Sequence, residues 1–181
     1  LAFPRIQGAD VCGRIAAVGE GVSAGRIGER VLVRNMLRTY VDYRPFECWT
    51  LGSECDGGFA QFTVAPAQET YAVDCDWSDV ALAAVPCAYS TAENMLHRAG
   101  VSAGRVLVTG ASGGVGLAAV QLAKRRGASV VAVCSPAKAA QVLAHGADHT
   151  LDRGTDLVGA LGRGSVDAVI DIVGGPQVAL L

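Results

Sequence analysis

The chain has 181 residues, 51% of them hydrophobic and 18% charged, with a net charge of −2. That much apolar sequence can bury the core of one large domain or two small ones. The charge balance excludes a global basic field that would recruit nucleic acid, and no apolar run reaches the roughly 18 residues of a membrane span.

Six cysteines, Cys12, Cys48, Cys55, Cys75, Cys87 and Cys134, have irregular spacing and no C-x-x-C pair. They read as reduced thiols of a cytoplasmic protein, not as a disulfide framework. The opening LAFPRIQGAD lacks the basic-then-apolar order of a signal peptide. Both ends fall inside patterned segments, which predicts a fragment of a longer chain, truncated at each end.

Residues 13–33 predict short strands between glycine turns. One is Arg14 to Val18, and another is Glu29 to Val33 after Gly25 and Gly28. Such spacing suggests a small β-barrel or sandwich. Residues 34–57 are polar, aromatic and weakly periodic, and predict a long surface loop ending at Asp56-Gly57-Gly58. Phe59 to Val64 alternates loosely, as a strand would. Ser78 is placed to cap a helix from Asp79 to Val85, stopped by Pro86. A second helix is predicted from Ser90 to Arg98. Beyond it strands and helices alternate. The strands are Arg105–Thr109, Ser129–Cys134, His149–Leu151 and Val166–Ile172. The helices are Gly114–Arg126, Ala137–His145 and 155–161. That alternation means βαβ units and a parallel sheet, an α/β fold.

The motif with most chemical content is Gly110-Ala111-Ser112-Gly113-Gly114-Val115-Gly116, between an apolar strand and a helix. From Ala111 it is the G-x-G-x-x-G fingerprint with alanine first, in the context that gives the pattern meaning. Gly113 lets the backbone approach a pyrophosphate, and Gly116 lets helix and strand pack closely. The helix N-terminus turns unpaired N–H groups toward the phosphates. An NAD site carries Asp or Glu about 20 residues further on, for the ribose 2′-hydroxyl. Here the sequence is Cys134-Ser135-Pro136-Ala137-Lys138. With no carboxylate to repel a 2′-phosphate, a donor in Ser135 and a charge in Lys138, NADP(H) is the expected cofactor.

An ordered set of marks accompanies this turn. They are Pro4 to Asp10 with Gly13, Val18-Gly19, Ile27 to Val31, Gly57 to Ala60, Ser90-Thr91-Ala92, Gly146-Ala147-Asp148, and Asp167 to Asp171 with Gly174-Gly175. Together they resemble the medium-chain dehydrogenase/reductase superfamily, especially its quinone oxidoreductase-like branch. The resemblance implies a β-rich GroES-like catalytic domain, here 1–87, and a doubly wound Rossmann domain, here 88–181. It implies hydride transfer by the cofactor, a position for Thr91 near the nicotinamide, and a homodimer or homotetramer.

Zinc-dependent members of that superfamily use three protein ligands and one open position. One ligand lies upstream of this chain. Ala9 stands where a second, a histidine, belongs, and Cys87 matches the third. Asp10 could substitute, but Cys87 is expected to be a buried thiol and no catalytic zinc is expected. A structural zinc needs four close cysteines, and Cys48 and Cys55 are two. His97, His145 and His149 have no metal-ligand spacing, and Asp171 is expected to cap a turn.

The reading reached is an NADPH-dependent reductase of a quinone or an activated double bond, acting on a small molecule without zinc. Tyr40, Tyr43 and Tyr89 are candidate proton donors. Two alternatives remain open: a zinc-dependent alcohol dehydrogenase with an atypical ligand set, and a non-catalytic NADPH-binding sensor or structural protein.

Overall fold

The computed structural model describes residues 3–42 and 44–181, less the side chains at 40, 44–46, 177 and 180. Contacts divide the chain into two compact units, Leu1–Cys87 and Ala88–Leu181.

The first unit is β-rich. Strands β1 (Val11–Arg14), β2 (Arg30–Val33) and β5 (Thr70–Ala72) form an antiparallel sheet in the order β1-β2-β5. Strands β3 (Met36–Val41) and β4 (Arg44–Thr50) form a separate antiparallel ribbon. Val33 of β2, Leu37 of β3 and Leu51 just after β4 form a buried cluster, with Val11, Trp49, Cys55 and Ala65 packed around them.

Four expectations need correction here. The first strand ends at Arg14, not Val18, although Ile15 N–H still bonds the Glu29 carbonyl at 3.0 Å. The predicted loop at 34–57 contains the β3–β4 ribbon. A register shift between Thr39 and Tyr40 interrupts the period-2 pattern there, so the alternation is hard to read. Residues 59–64 form no strand: they have no ladder partner among the described residues, and Phe59, Phe62 and Val64 are exposed. Finally, α2 runs Pro86–Arg98, so Pro86 opens it. Proline suits the first helical turn, where its missing N–H would have no partner anyway. Helix α1 (Asp79–Ala83) does begin after Ser78, whose Oγ accepts a 3.2 Å hydrogen bond from Ala81 N–H.

The second unit is an α/β layer fold. Strands β6 (Arg105–Val108), β7 (Ser129–Val133), β8 (His149–Leu151) and β9 (Ala168–Ile170) form a parallel sheet in the order β8-β7-β6-β9. Its helices are α2, α3 (Gly114–Arg125), α4 (Ala139–Ala144) and α5 (Leu157–Leu161). Side chains alternate across the sheet as strand geometry requires. Val106, Val108, Val130 and Ala132 join Leu96, Val120 and Val142 of α2, α3 and α4 in one core. Leu107, Val131 and Val133 face the other way, against Leu157 and Leu161 of α5. Strand order reverses at β6, the switch point outside which doubly wound sheets bind ligands. Among the described residues no helix is long and apolar enough to cross a membrane.

Candidate functional site

The turn after β6 is fixed on three sides. Thr109 is buried, and its N–H bonds the Ile170 carbonyl at 3.0 Å. Its hydroxyl donates to Asp171 Oδ1 and accepts from Ile172 N–H at 3.1 Å. Asp171 also accepts from Val173 N–H at 3.3 Å and Gly174 N–H at 3.0 Å, so it closes the turn that follows β9. The Thr109 hydroxyl, then those two N–H groups, hold its carboxyl below the usual aspartate range against the opposing effect of burial. Gly110 has φ +60°, a left-handed conformation that favours glycine. Ala111 N–H reaches the Val133 carbonyl at 3.1 Å, which seats the turn against the end of β7.

Helix α3 then starts with its first turn open. Its N-cap is Gly113, which has no side chain to cap with, and the first bond into the helix is Leu117 N–H to Gly113 O at 2.8 Å. The N–H groups of Gly114, Val115 and Gly116 therefore lie ahead of the helical ladder, at the positive end of the helix dipole. Gly116 is buried against the turn: a methyl there would overlap the Gly110 carbonyl oxygen and come within 2.7 Å of Ala111 Cα. At Gly113 a methyl would meet only that same oxygen, at 3.5 Å. Gly116 is thus needed for packing, while Gly113 leaves an open approach to the N–H groups. The arrangement fits a dinucleotide's phosphates.

The expected residues at the β7 end follow directly. Ser135 is half-buried and precedes a one-turn helix, Pro136–Lys138, without capping it by its side chain. Lys138 is exposed and makes no ion pair among the described residues. The edge of the sheet thus carries Gly110 to Gly116 and Ser135 together, with Lys138 one turn beyond. Thr91 is an exposed residue of α2. Ala88, one turn earlier, lies where a methyl on Gly114 would touch it at 3.7 Å, so the first turns of α2 and α3 are neighbours.

Cys87 is half-buried, not fully buried as expected. Asp10 Oδ1 accepts a 2.6 Å hydrogen bond from the Cys87 backbone N–H. Among the described residues no three or more His, Cys, Asp or Glu side chains group as a metal site would. Ala9 offers no ligand atom, and Asp10 Oδ1 is engaged by the Cys87 backbone N–H. Cys48 is exposed on β4. Burial pushes the Cys55 thiol up, and its Sγ lies 3.7 Å from the Thr50 carbonyl. His145 Nδ1 sits 2.7 Å from the Gln141 carbonyl, and His97 and His149 are exposed.

Of the candidate proton donors, Tyr89 donates its hydroxyl to Gln121 Oε1 at 3.2 Å, which gives it a packing role against α3. Tyr43 and the side chain of Tyr40 lie outside the described residues. Two features escaped sequence reasoning. The Thr109–Asp171 bond links residues 62 apart, and only the β6–β9 pairing brings them together. The Asp10 bond to Cys87 has no local signal at all.

Residues 1–74 match the family described as the alcohol dehydrogenase GroES-like domain. Residues 114–180 match the family described as zinc-binding dehydrogenase. An acryloyl-coenzyme A reductase from Metallosphaera sedula is 32% identical over 97% of this chain and 55% of its own length. A quinone oxidoreductase from Rattus norvegicus is 35% identical over 72% of this chain and 35% of its own. The solved structure of a Sinorhizobium meliloti 1021 protein assigned as an alcohol dehydrogenase superposes with a TM-score of 0.90 at 47% identity, covering 98% of this chain and 51% of that one. The chain thus spans about half the length of these relatives, or less.

Proposed function

The chain belongs to the medium-chain dehydrogenase/reductase superfamily, and from that premise we propose that the full protein is an NADPH-dependent reductase of a quinone or an activated carbon–carbon double bond, working without a catalytic zinc. One observation carries the cofactor half of this reading. The open first turn of α3 stands beside a strand end, Cys134 to Lys138, that holds no carboxylate.

When bound, NADP(H) supplies the hydride. The N–H groups of Gly114, Val115 and Gly116 and the backbone around Ala111 and Ser112 would hold its pyrophosphate. Ser135 would donate a hydrogen bond to the 2′-phosphate, and Lys138 would supply charge. Thr91, at the family's nicotinamide position, would orient the ring. The Thr109–Asp171 bond keeps the turn in place from below.

The acceptor half rests on Ala9 and on the Asp10–Cys87 bond, which leave the family's zinc ligand set incomplete. An acceptor must then be electron-poor enough to take hydride without Lewis-acid polarisation. Quinones and conjugated carbonyl compounds meet that requirement, and the similar acryloyl-coenzyme A reductase and quinone oxidoreductase are named for such substrates. Alcohol dehydrogenase chemistry is the second reading, favoured by the 47% identity to the Sinorhizobium meliloti protein.

The test is NADPH oxidation by chelator-treated full-length protein, with a simple quinone and with a conjugated thioester. Saturable turnover of either supports the proposal. Stoichiometric zinc that survives dialysis, with turnover of alcohols instead, would favour the second reading.

A further inference from the structure

We propose that Cys12 and Cys75 form a peroxide-sensitive dithiol, which closes to an intramolecular disulfide on the outer face of the β1-β2-β5 sheet.

Side-chain alternation places Cys12 on that face. Val11 and Val33 pair across β1 and β2 and pack into the buried cluster of the first unit. Cys12 is the next residue along β1, so it points the other way, opposite Leu32. Arg30 lies two residues from Leu32 on the same face, paired with Arg14. It is therefore a diagonal neighbour of Cys12, within reach of a long side chain.

Arg30 brings Cys75 over the same ground. After β5 the chain crosses to α1, and the Arg30 guanidinium holds that crossing. It donates to the Cys75 carbonyl, and to the Trp77 carbonyl at 2.9 Å. Its Nη2 lies 3.7 Å from Cys75 Sγ, and its Nη1 lies 3.4 Å from Asp79 Oδ1. Helix α1 begins at Asp79 and packs on β1. Both thiols thus neighbour one arginine. Cys12 also feels the charges around it: burial first pushes its thiol up, Asp79 and Cys75 add to that shift, and Arg30 and Arg14 oppose it.

The two thiols are free, and they differ in access: Cys75 is exposed and Cys12 is half-buried. A disulfide needs its Cα atoms within about 7 Å. Residues 74–78 are exposed and belong to no helix or strand, which gives the crossing freedom to settle onto β1. Peroxide reaches Cys75 first. The Cys75 sulfur attacks one peroxide oxygen and the O–O bond breaks, leaving a sulfenic acid and, with the thiol proton, a water. The Cys12 sulfur then attacks the sulfenic sulfur. The S–S bond forms, the S–O bond breaks, and hydroxide leaves as a second water with the Cys12 proton. Two thiols are oxidised and one peroxide is reduced. The new bond fastens the entry to α1 onto β1.

Treatment of the full-length protein with hydrogen peroxide, then alkylation and peptide mapping by mass spectrometry without reductant, tests this. The expected product is a linked pair of peptides carrying Cys12 and Cys75, two hydrogens lighter than the reduced pair and restored by dithiothreitol. In Cys12→Ser, Cys75 should stop at the sulfenic acid and be captured by dimedone in larger amount than in the wild type. In Cys75→Ser, Cys12 should stay open to alkylation. The proposal is overturned if both thiols of the treated wild type alkylate as in untreated protein, or if Cys75 links to another cysteine or a second chain. Oxidation of Cys12 that proceeds equally fast in Cys75→Ser also overturns it.

Discussion

The carboxylate of Asp10 accepts a 2.6 Å hydrogen bond from the backbone N–H of Cys87, 77 residues further along the chain. Cys87 is the second residue of α2, so this N–H has no partner within the helix. Asp10 therefore acts as a helix cap supplied from a distant loop. Asp10→Ala should destabilise the protein by about 1–2 kcal/mol, the usual cost of a lost cap. Asp10→Asn, which keeps an acceptor oxygen, should lose less. Chemical denaturation midpoints would show the order. An alanine variant as stable as the wild type would mean the bond contributes nothing.

Gly113 and Gly116 should separate binding from folding. Gly116→Ala puts a methyl into the Gly110 carbonyl and Ala111 backbone. The cost should be about 1–3 kcal/mol of stability, typical of overpacking, and dinucleotide affinity should fall with it. Gly113→Ala meets nothing closer than 3.5 Å and its backbone is extended, with φ −84° and ψ 173°. Its stability should stay near wild type while NADPH affinity falls, because the methyl occupies the approach to the N–H groups. Equal thermal shifts in the two variants would contradict this division.

Lys138→Ala should weaken NADPH binding much more than NADH binding, by about tenfold if one charge-assisted contact is lost. Parallel titrations with the two cofactors would measure it. Equal losses would remove the role given to Lys138.

Asp148 gives a pH dependence. Its carboxylate accepts from Val130 N–H at 2.6 Å and pairs with Lys124 Nζ at 2.9 Å, joining α3 to β7. The Val130 bond first, then Lys124, hold its carboxyl below the usual aspartate range. A lowered native pKa contributes stability that is present in full above the unfolded-state value and is lost as pH falls through the native one. Asp148→Asn should therefore be less stable than wild type near neutral pH, and the gap should close in acid, below the ordinary aspartate range. Thermal melts across that range would follow it. A gap independent of pH would show that ionisation of Asp148 contributes nothing.

The second unit was more legible in the sequence than the first, for physical reasons. Buried parallel strands are continuous apolar runs such as Val106-Leu107-Val108 and Val130-Val131-Ala132-Val133, and each ends at a glycine or proline turn. The ribbon of the first unit has a register shift at Thr39/Tyr40 that breaks its alternation, so residues 36–50 read as loop. Phe59 to Val64 has the alternation of a strand without a ladder partner among the described residues, and pattern alone cannot supply one. At the candidate site the strand–turn–helix around Gly110 to Gly116 could be read locally, because its conformation depends on its own backbone. Thr109 with Asp171 and Asp10 with Cys87 depend on pairings between distant strands and loops, and no short window of sequence contains them.

In the proposed reaction, hydride passes from NADPH to an electron-poor acceptor with no metal involved. The direct measurement uses chelator-treated full-length protein, a conjugated thioester, and NADPH carrying deuterium at C4 of the nicotinamide, on each face in turn. Deuterium from one face, bonded to carbon in the reduced product, is the predicted result. Product formed without deuterium from either face, or turnover that appears only when zinc is restored, would contradict the claim.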